Sequence, residues 1–578
     1  MEPALQRAFD LSRTGSLPAA IAAVRKYLAI KPASLEALNL LGLLLTQSGE
    51  LDLAEAQLRR AVELAPNSPQ AHNNLAHILL QRRRFAESAR FATRAVEINP
   101  GYAFGYLTLS CALASAQDSL GAIEAARRGL SLEPDSPQHT RNLVIALDAS
   151  GRFDEALRAA EAAHARFPTD APLHSMLLMF LNYTDRPDIA EVHRRFGELH
   201  PASPPPPLSV PDPDRPLRVG FLSSDLRTHS VGFFIDALLS HAPTWVSTHC
   251  FSQVAAPKDP MAQRFRAAAT TWREVGHVDD ATLAAVLREA KLDILVDLMG
   301  HTGGNRLPVL AGRPAPIALT AIGYPNTTGF GAIDYRLVDS ITDPPGLESL
   351  CTESLLRVDP CFLCYRPPDD APAPSMPAPD QPITFGSFNA PAKIGPRTAA
   401  LWAGVLQAVP GSRLVLKSKD LSESCARDAV RDRLQAAGVD RDRIEFLPAA
   451  ATIAEHLALY SRVHLALDTV PYNGTTTTCE ALWMGVPVVT LMGDRHAARV
   501  GASLLRAVGR EAWVADSAED YVRIAAGLAR ASDELGRERA TLRAEIASTA
   551  LCDARAYATR VYGALREVWR RRCNGKEK

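Results

Sequence analysis

The apolar positions of this chain change period once, near residue 200, and the change separates two kinds of domain. Before it, apolar residues recur at three- and four-residue spacing, the pattern of amphipathic helices. Pro32, Pro66, Pro100, Pro134 and Pro168 fall at a constant interval of 34 residues. Ala20, Ala54, Ser88, Ala122 and Ala156 stand at one fixed offset before them, all small. Gly42, Ala76 and Ser110 form a second small column, which Val144 interrupts. This period predicts tetratricopeptide units: two antiparallel helices, small residues at the crossing, and proline after the second helix. Ala190 and Pro201 suggest a sixth, degenerate unit. Each unit hides its apolar face only by stacking, so residues 1–200 are expected as a superhelix whose concave groove takes peptide or protein. A scaffold or oligomerisation arm is the alternative. The groove positions Leu40, Asn74, Thr108 and Asn142 are too mixed to name a preference.

Residues 201–216 are rich in proline and predict a stiff, extended linker. From residue 217 short apolar runs alternate with helical stretches. Strands are expected at 217–222, 293–297 and 317–322, then at 383–386, 413–416, 443–446, 465–467 and 486–490. A proline- and aspartate-rich stretch from 366 to 382 divides the two sets. The pattern predicts two Rossmann-like lobes with parallel sheets, 217–381 and 382–578, the second ending in a closing helix. Such folds bind ligands beyond the carboxyl ends of their strands, here toward a cleft.

Composition narrows the function. The chain has 578 residues, more than one core holds. Its 63 basic and 64 acidic side chains leave a net charge of −1, which argues against nucleic acid or anionic membrane as a partner. No apolar run is long enough to span a bilayer, and the start does not resemble a secretory signal. Nine thinly spread cysteines suit a reducing cytoplasm. Cys361 and Cys364 make the only CxxC, and without a second pair or a nearby histidine it reads as structural.

Polar clusters follow the expected strands. Pro471-Tyr-Asn-Gly-Thr-Thr-Thr-Thr-Cys-Glu480 lies between a strand and a helix, placing hydroxyls and unpaired N–H groups where a phosphate is favoured. The alternative is a Thr-rich cap with no ligand. Glu480, just inside that helix, is placed to accept from ribose hydroxyls. His229, His301 and Lys393 also stand after strands and face the same expected site. Asp440 and Asp442 read as surface charge, and no metal-ligand pattern is evident. A nucleotide site without a metal needs another cation, which Lys393 and the helix start can supply.

These residues resemble one family: the O-GlcNAc transferase and SPINDLY family of protein glycosyltransferases. The matching segments include Arg218-Val-Gly-Phe-Leu-Ser-Ser-Asp225 with Thr228-His229-Ser230, and Gly300-His301-Thr302. Ile322-Gly-Tyr-Pro-Asn-Thr-Thr-Gly329, Phe385-Gly-Ser-Phe-Asn389 with Ala392-Lys393-Ile394, the 471–480 turn and His496 with Val500-Gly-Ala-Ser-Leu-Leu505 also match. The resemblance implies a GT-B fold and metal-independent, inverting transfer of a sugar to Ser or Thr of a protein held by the repeats, with no cofactor. It implies Lys393 at the β-phosphate, Thr475, Thr476 and Thr477 on phosphate oxygens, Glu480 at the ribose and His456 near the base. His229 would assist acceptor deprotonation and His301 would shape the same pocket. Asn389, Asn473, Gly474, Tyr324, Pro325 and His496 complete the implied nucleotide-sugar site. A homodimer is compatible with it.

Two positions depart from O-GlcNAc transferases. Ala390 stands where they have glutamine and Ile453 where they have lysine, both of which help hold uridine diphosphate. The chain therefore looks more like the SPINDLY branch, associated with GDP-fucose. UDP-GlcNAc and GDP-fucose are the candidate donors. A flagellin-type glycosyltransferase with another donor, or a non-catalytic repeat adaptor that senses nucleotide sugar, are the rival readings.

Overall fold

Seven parallel strands form the first sheet, whose three central strands are apolar runs buried on both faces. They are β1 (Leu217–Ser223), β2 (Val246–Ser252), β3 (Thr271–Glu274), β4 (Ile294–Asp297), β5 (Ile317–Thr320), β6 (Tyr335–Val338) and β7 (Ser354–Arg357), in the order β3-β2-β1-β4-β5-β6-β7. Val219 of β1 stands opposite Ile294 of β4, so the central pair is in register across its buried residues. The second sheet holds β8 (Thr384–Ser387), β9 (Arg413–Leu416), β10 (Ile444–Phe446), β11 (Leu465–Leu467), β12 (Val488–Leu491) and β13 (Val514–Ala515), in the order β10-β9-β8-β11-β12-β13. In each sheet the order reverses beside a central strand, β1 or β8, the topology that opens a ligand crevice at the strand ends. This computed structural model describes residues 2–13, 16–208, 211–378 and 381–575.

The chain divides into two compact units, Met1–Phe167 and Pro168–Lys578. The first is a succession of helices from Pro3–Arg13 to Phe153–Arg166, each packed on the next. Ala20, Ala54, Ser88, Ala122 and Ala156 are all fully buried, as small residues at a helix crossing must be. Ser34, Ser68 and Ser136 cap alternate helices through their hydroxyls. Asn74 donates to Asn39 at 2.8 Å, and Asn142 to Ser110 at 2.7 Å, so these two groove candidates also tie one repeat to the one before. Leu40 and Thr108 are buried, so they do not line a groove.

The helical pair at the sixth repeat position, Ala171–Leu181 and Ile189–Leu199, belongs to the second unit. The break thus falls at 167/168, earlier than the expected boundary near 200. The reason is chemical: this pair spends its polar side chains on the first lobe, through Ser175, Asn182 and His193.

Residues 201–216 carry no regular element among those described, and positions 209 and 210 lie outside the described residues. The stretch is fastened rather than free: Ser203 donates its amide to Ala311 O at 2.8 Å, and Trp569 and Arg566 donate to carbonyls of Asp212, Pro213 and Arg215. The expected lobe boundary at 381/382 adjoins positions 379 and 380, also outside the described residues. The last helix, Ala554–Cys573, returns to the first lobe, where Tyr562 Oη donates to Leu238 O at 2.8 Å and Tyr557 Oη to Phe362 O at 2.7 Å. One apolar core consequently runs through both lobes. Cys361 and Cys364 sit in it as buried free thiols.

Candidate functional site

Asp468, directly after β11, organises the turn that follows. Its carboxylate is buried and accepts from Gly474 N at 2.6 Å, Thr469 N at 2.8 Å and Thr490 Oγ1 at 2.7 Å. Burial raises it to about 6 against the pull of those donors. The chain bends back around this group through Pro471-Tyr472-Asn473-Gly474. A Cβ on Gly474 would lie 2.5 Å from Thr477 Oγ1, so any side chain there would have to displace that hydroxyl. Asn473 is fully buried; its Nδ2 donates to Thr469 O at 2.8 Å and its Oδ1 accepts from Gly501 N at 3.2 Å.

The Asn473 carbonyl meets the lysine. Lys393, on the short turn Pro391–Lys393 after β8, donates from Nζ to Asn473 O at 2.8 Å. The same Nζ lies 3.8 Å from the centroid of the Tyr472 ring. Burial lowers the ammonium to about 8, with Asp468 acting to keep it charged. Beside it the helix Thr476–Trp483 begins. Its N-cap residue Thr475 makes no side-chain capping bond, unlike Thr452 and Ser517 elsewhere in the lobe. The first-turn N–H groups therefore keep their capacity for an outside acceptor. Thr477 Oγ1 donates to Asn389 Oδ1 at 3.0 Å, which fixes β8 to the helix start.

One turn along that helix, Glu480 Oε2 accepts from His456 Nε2 at 2.9 Å and from Tyr460 Oη at 3.4 Å. His456 Nδ1 in turn receives Lys417 Nζ. An ammonium can only donate, so Nδ1 is the acceptor and Nε2 carries the proton toward Glu480. Phe388 packs 4.2 Å from the Tyr460 ring and 5.6 Å from the His456 ring, measured between centroids. Lys417, from the end of β9, thus brings an ammonium to His456. Lys417, Tyr460, Tyr472 and Asp468 escaped the sequence reading, although Lys417 and Asp468 stand at strand ends, where such residues are sought.

The first lobe contributes less than expected. His229, in the loop after β1, is partly exposed, with Nδ1 3.3 Å from the Val231 amide and 3.5 Å from Asp225 Oδ1. Burial lowers its pKa, and Asp225 opposes that shift. His301 is spent inside the protein: Nε2 donates to Thr328 O at 2.7 Å and Nδ1 accepts from Ser175 Oγ at 2.9 Å. With both ring nitrogens occupied and burial lowering its pKa well below the usual value, it is a neutral brace. Tyr324 is likewise consumed, within 3.0 Å of Asn182 Nδ2 and 2.6 Å of His193 Nε2, and Pro325 is buried beside it. Both side chains are turned into the protein rather than toward solvent. The Asn473 side chain is a brace as well, and only its carbonyl reaches the lysine. His496 commits Nδ1 to Asp343 of the first lobe and packs on Phe362, joining the lobes instead of standing free in the cleft.

Comparison with known proteins agrees with this architecture. The model of glycosyl transferase family 41 matches residues 157–364 and 375–561, and a tetratricopeptide repeat model matches 5–69, 39–103 and 107–171. Among curated proteins, the chain is 39% identical over 414 residues to a protein of Arabidopsis thaliana named probable UDP-N-acetylglucosamine–peptide N-acetylglucosaminyltransferase SPINDLY, covering 69% of this chain and 45% of that one. It is 41% identical over 371 residues to the protein of that name from Solanum lycopersicum, covering 63% of this chain and 40% of that one. The chain thus spans less than half the length of these relatives. A solved structure of a Thermobaculum terrenum O-GlcNAc transferase mutant superposes with a TM-score of 0.82 at 34% identity, covering 88% of this chain and 98% of that one. Repeats, two parallel-sheet lobes of GT-B type and a family match over more than half its length make this chain a member of glycosyl transferase family 41.

Proposed function

We propose that this protein is a metal-independent, inverting O-glycosyltransferase that moves a sugar from a nucleoside diphosphate sugar to Ser or Thr hydroxyls of a protein recruited by residues 1–167. One observation carries the reading: the Lys393 ammonium, fixed at 2.8 Å on Asn473 O, stands next to an uncapped helix start bearing Thr475, Thr476 and Thr477. In an inverting transfer the acceptor hydroxyl attacks the anomeric carbon and the bond to the pyrophosphate breaks, so negative charge grows on the departing oxygen. A preorganised cation and amide dipoles stabilise that charge more than they stabilise the ground state. Lys393 supplies the cation; the threonine hydroxyls and first-turn N–H groups supply the dipoles.

Glu480 takes the ribose hydroxyls, oriented by His456 and Tyr460, and Phe388 with His456 borders the base. His229 offers Nε2 to the acceptor proton only after its Nδ1, which here accepts from the Val231 amide at 3.3 Å, exchanges that bond for a proton turned toward Asp225 Oδ1, 3.5 Å away. The relatives' names carry UDP-N-acetylglucosamine, whereas Ala390 and Ile453 remove two side chains suited to that donor, so GDP-fucose competes with UDP-GlcNAc as the substrate. The nine free thiols favour a reducing compartment such as the cytoplasm.

The test is a melting-temperature series with UDP-GlcNAc, GDP-fucose and other nucleotide sugars, followed by sugar transfer to protein with the donor that stabilises most. Stabilisation by one nucleotide class, lost in Lys393→Ala together with transfer, supports the reading. Absence of stabilisation by every donor sinks it. Removal of residues 1–167 is expected to abolish protein modification while leaving slow donor hydrolysis; cutting at 200 would instead strip the helical pair that braces His301 and Tyr324.

A further inference from the structure

The turn joining the helices Ala171–Leu181 and Ile189–Leu199 touches both lobes through neighbouring residues. Asn182 holds the first lobe: its Nδ2 donates to Tyr324 Oη at 3.0 Å and its Oδ1 accepts from Asn326 Nδ2 at 2.9 Å. Asp185 pairs with Arg397 of the second lobe at 3.0 Å. Between them, the Tyr183 ring stacks on Tyr472 with centroids 5.3 Å apart and planes 20° from parallel. Tyr472 is the ring that receives the Lys393 ammonium at 3.8 Å. A lysine stem has four rotatable bonds, and one carbonyl acceptor does not fix its end. An aromatic face does so if the ring itself cannot swing, and offset stacking restrains it.

Resting on the transferase reading above, we propose that Tyr183 is a positioning residue for Lys393: by stacking on Tyr472 it sets the ring against which the ammonium is held. The helical pair 171–199, built from a degenerate repeat, then forms part of the catalytic apparatus. Tyr183 touches no reacting atom. It acts through Tyr472, and Tyr183→Phe retains the function because a phenyl ring stacks equally well.

Two measurements separate this proposal from the function on which it rests. The first needs no donor: the rate of acetylation of Lys393 by acetic anhydride, read by mass spectrometry on the full chain. Tyr183→Ala and Tyr183→Leu are expected to raise it at least threefold, with Tyr183→Phe unchanged. Equal rates in all four proteins overturn the proposal, whether or not any sugar is transferred. The second uses whichever of UDP-GlcNAc and GDP-fucose supports turnover. Tyr183→Leu is expected to lower kcat about tenfold with donor KM within about twofold. In a Lys393→Ala background the same change is expected to have no further effect, because the two residues act as one unit. Full additivity overturns the proposal. If neither donor turns over in the wild-type chain, the second measurement is made with the nucleotide sugar that stabilises most. If no nucleotide sugar turns over, the transferase reading fails, and the acetylation result alone decides whether Tyr183 governs Lys393.

Discussion

Two turns of this molecule have nearly the same letters and opposite fates. Gly323-Tyr-Pro-Asn-Thr-Thr-Gly329 follows a strand of the first lobe, and Pro471-Tyr-Asn-Gly-Thr-Thr-Thr-Thr478 follows a strand of the second. In the first, a buried carboxylate has taken the hydroxyls: Thr327 Oγ1 donates to Glu353 Oε2 at 2.6 Å, Thr328 N to Oε1 at 2.7 Å, and Thr328 Oγ1 to the same oxygen. In the second, the organising carboxylate, Asp468, takes backbone amides and Thr490. Thr477 Oγ1 donates to Asn389 and Thr478 Oγ1 to Gly474 O, so the donors that stay open are the first-turn N–H groups of the uncapped helix start. Which donors of such a turn stay open to an outside acceptor depends on what the fold places behind it.

The contrast is open to direct attack. Lys393→Ala carries the largest expected effect, a loss of about 10²–10³-fold or more in kcat with the native fold kept, as for removal of one well-placed oxyanion donor. Turnover near wild type, measured with the stabilising donor, would show that the second turn needs no cation. Glu353→Ala tests the other side: three donors lose their acceptor, and the cost is about 2–4 kcal/mol of stability by denaturant unfolding, with donor KM per folded molecule unchanged. A fall in donor affinity without loss of stability would mean that the first turn binds ligand after all.

Smaller effects sharpen the picture. Thr477→Val removes a hydroxyl that touches Asn389 and faces the proposed phosphate, and about a tenfold rise in donor KM is expected with a minor change in melting temperature. Lys393 is a cation below its pKa of about 8 and a neutral amine above it, so donor turnover is expected to fall as pH rises through that value. A bound pyrophosphate favours the charged form and moves the fall upward, so kcat/KM should break at lower pH than kcat. Asp185→Asn breaks an exposed pair with Arg397 and should cost about 0.5 kcal/mol or less.

Most of the strands that sequence missed share a physical cause; β6, inside the sheet, is instead interrupted by Arg336. β3 and β7 are short edge strands with mixed polarity, and β2, beside the edge, carries Ser, Thr and His among its apolar residues. β13 has only two residues. None offers the continuous apolar run that made β1, β4 and β11 readable. Among site candidates, Lys393 and the 475–480 helix start could be picked out because a strand–turn–helix junction is local. His301 and Tyr324 could not be sorted from them, since their partners Ser175, Asn182 and His193 lie more than a hundred residues away.

By itself the sequence determined the 34-residue repeat, the two alternating lobes and the turn that holds the phosphate-friendly helix start, because periodicity, proline and glycine act over a few neighbouring residues. Only the tertiary structure decided which polar groups remain available, that the last helical pair belongs with the lobes, and that Tyr183 reaches the ring beneath Lys393. Satisfaction of a buried hydrogen bond and the stacking of two rings depend on atoms brought together across the chain, and no local pattern encodes that meeting.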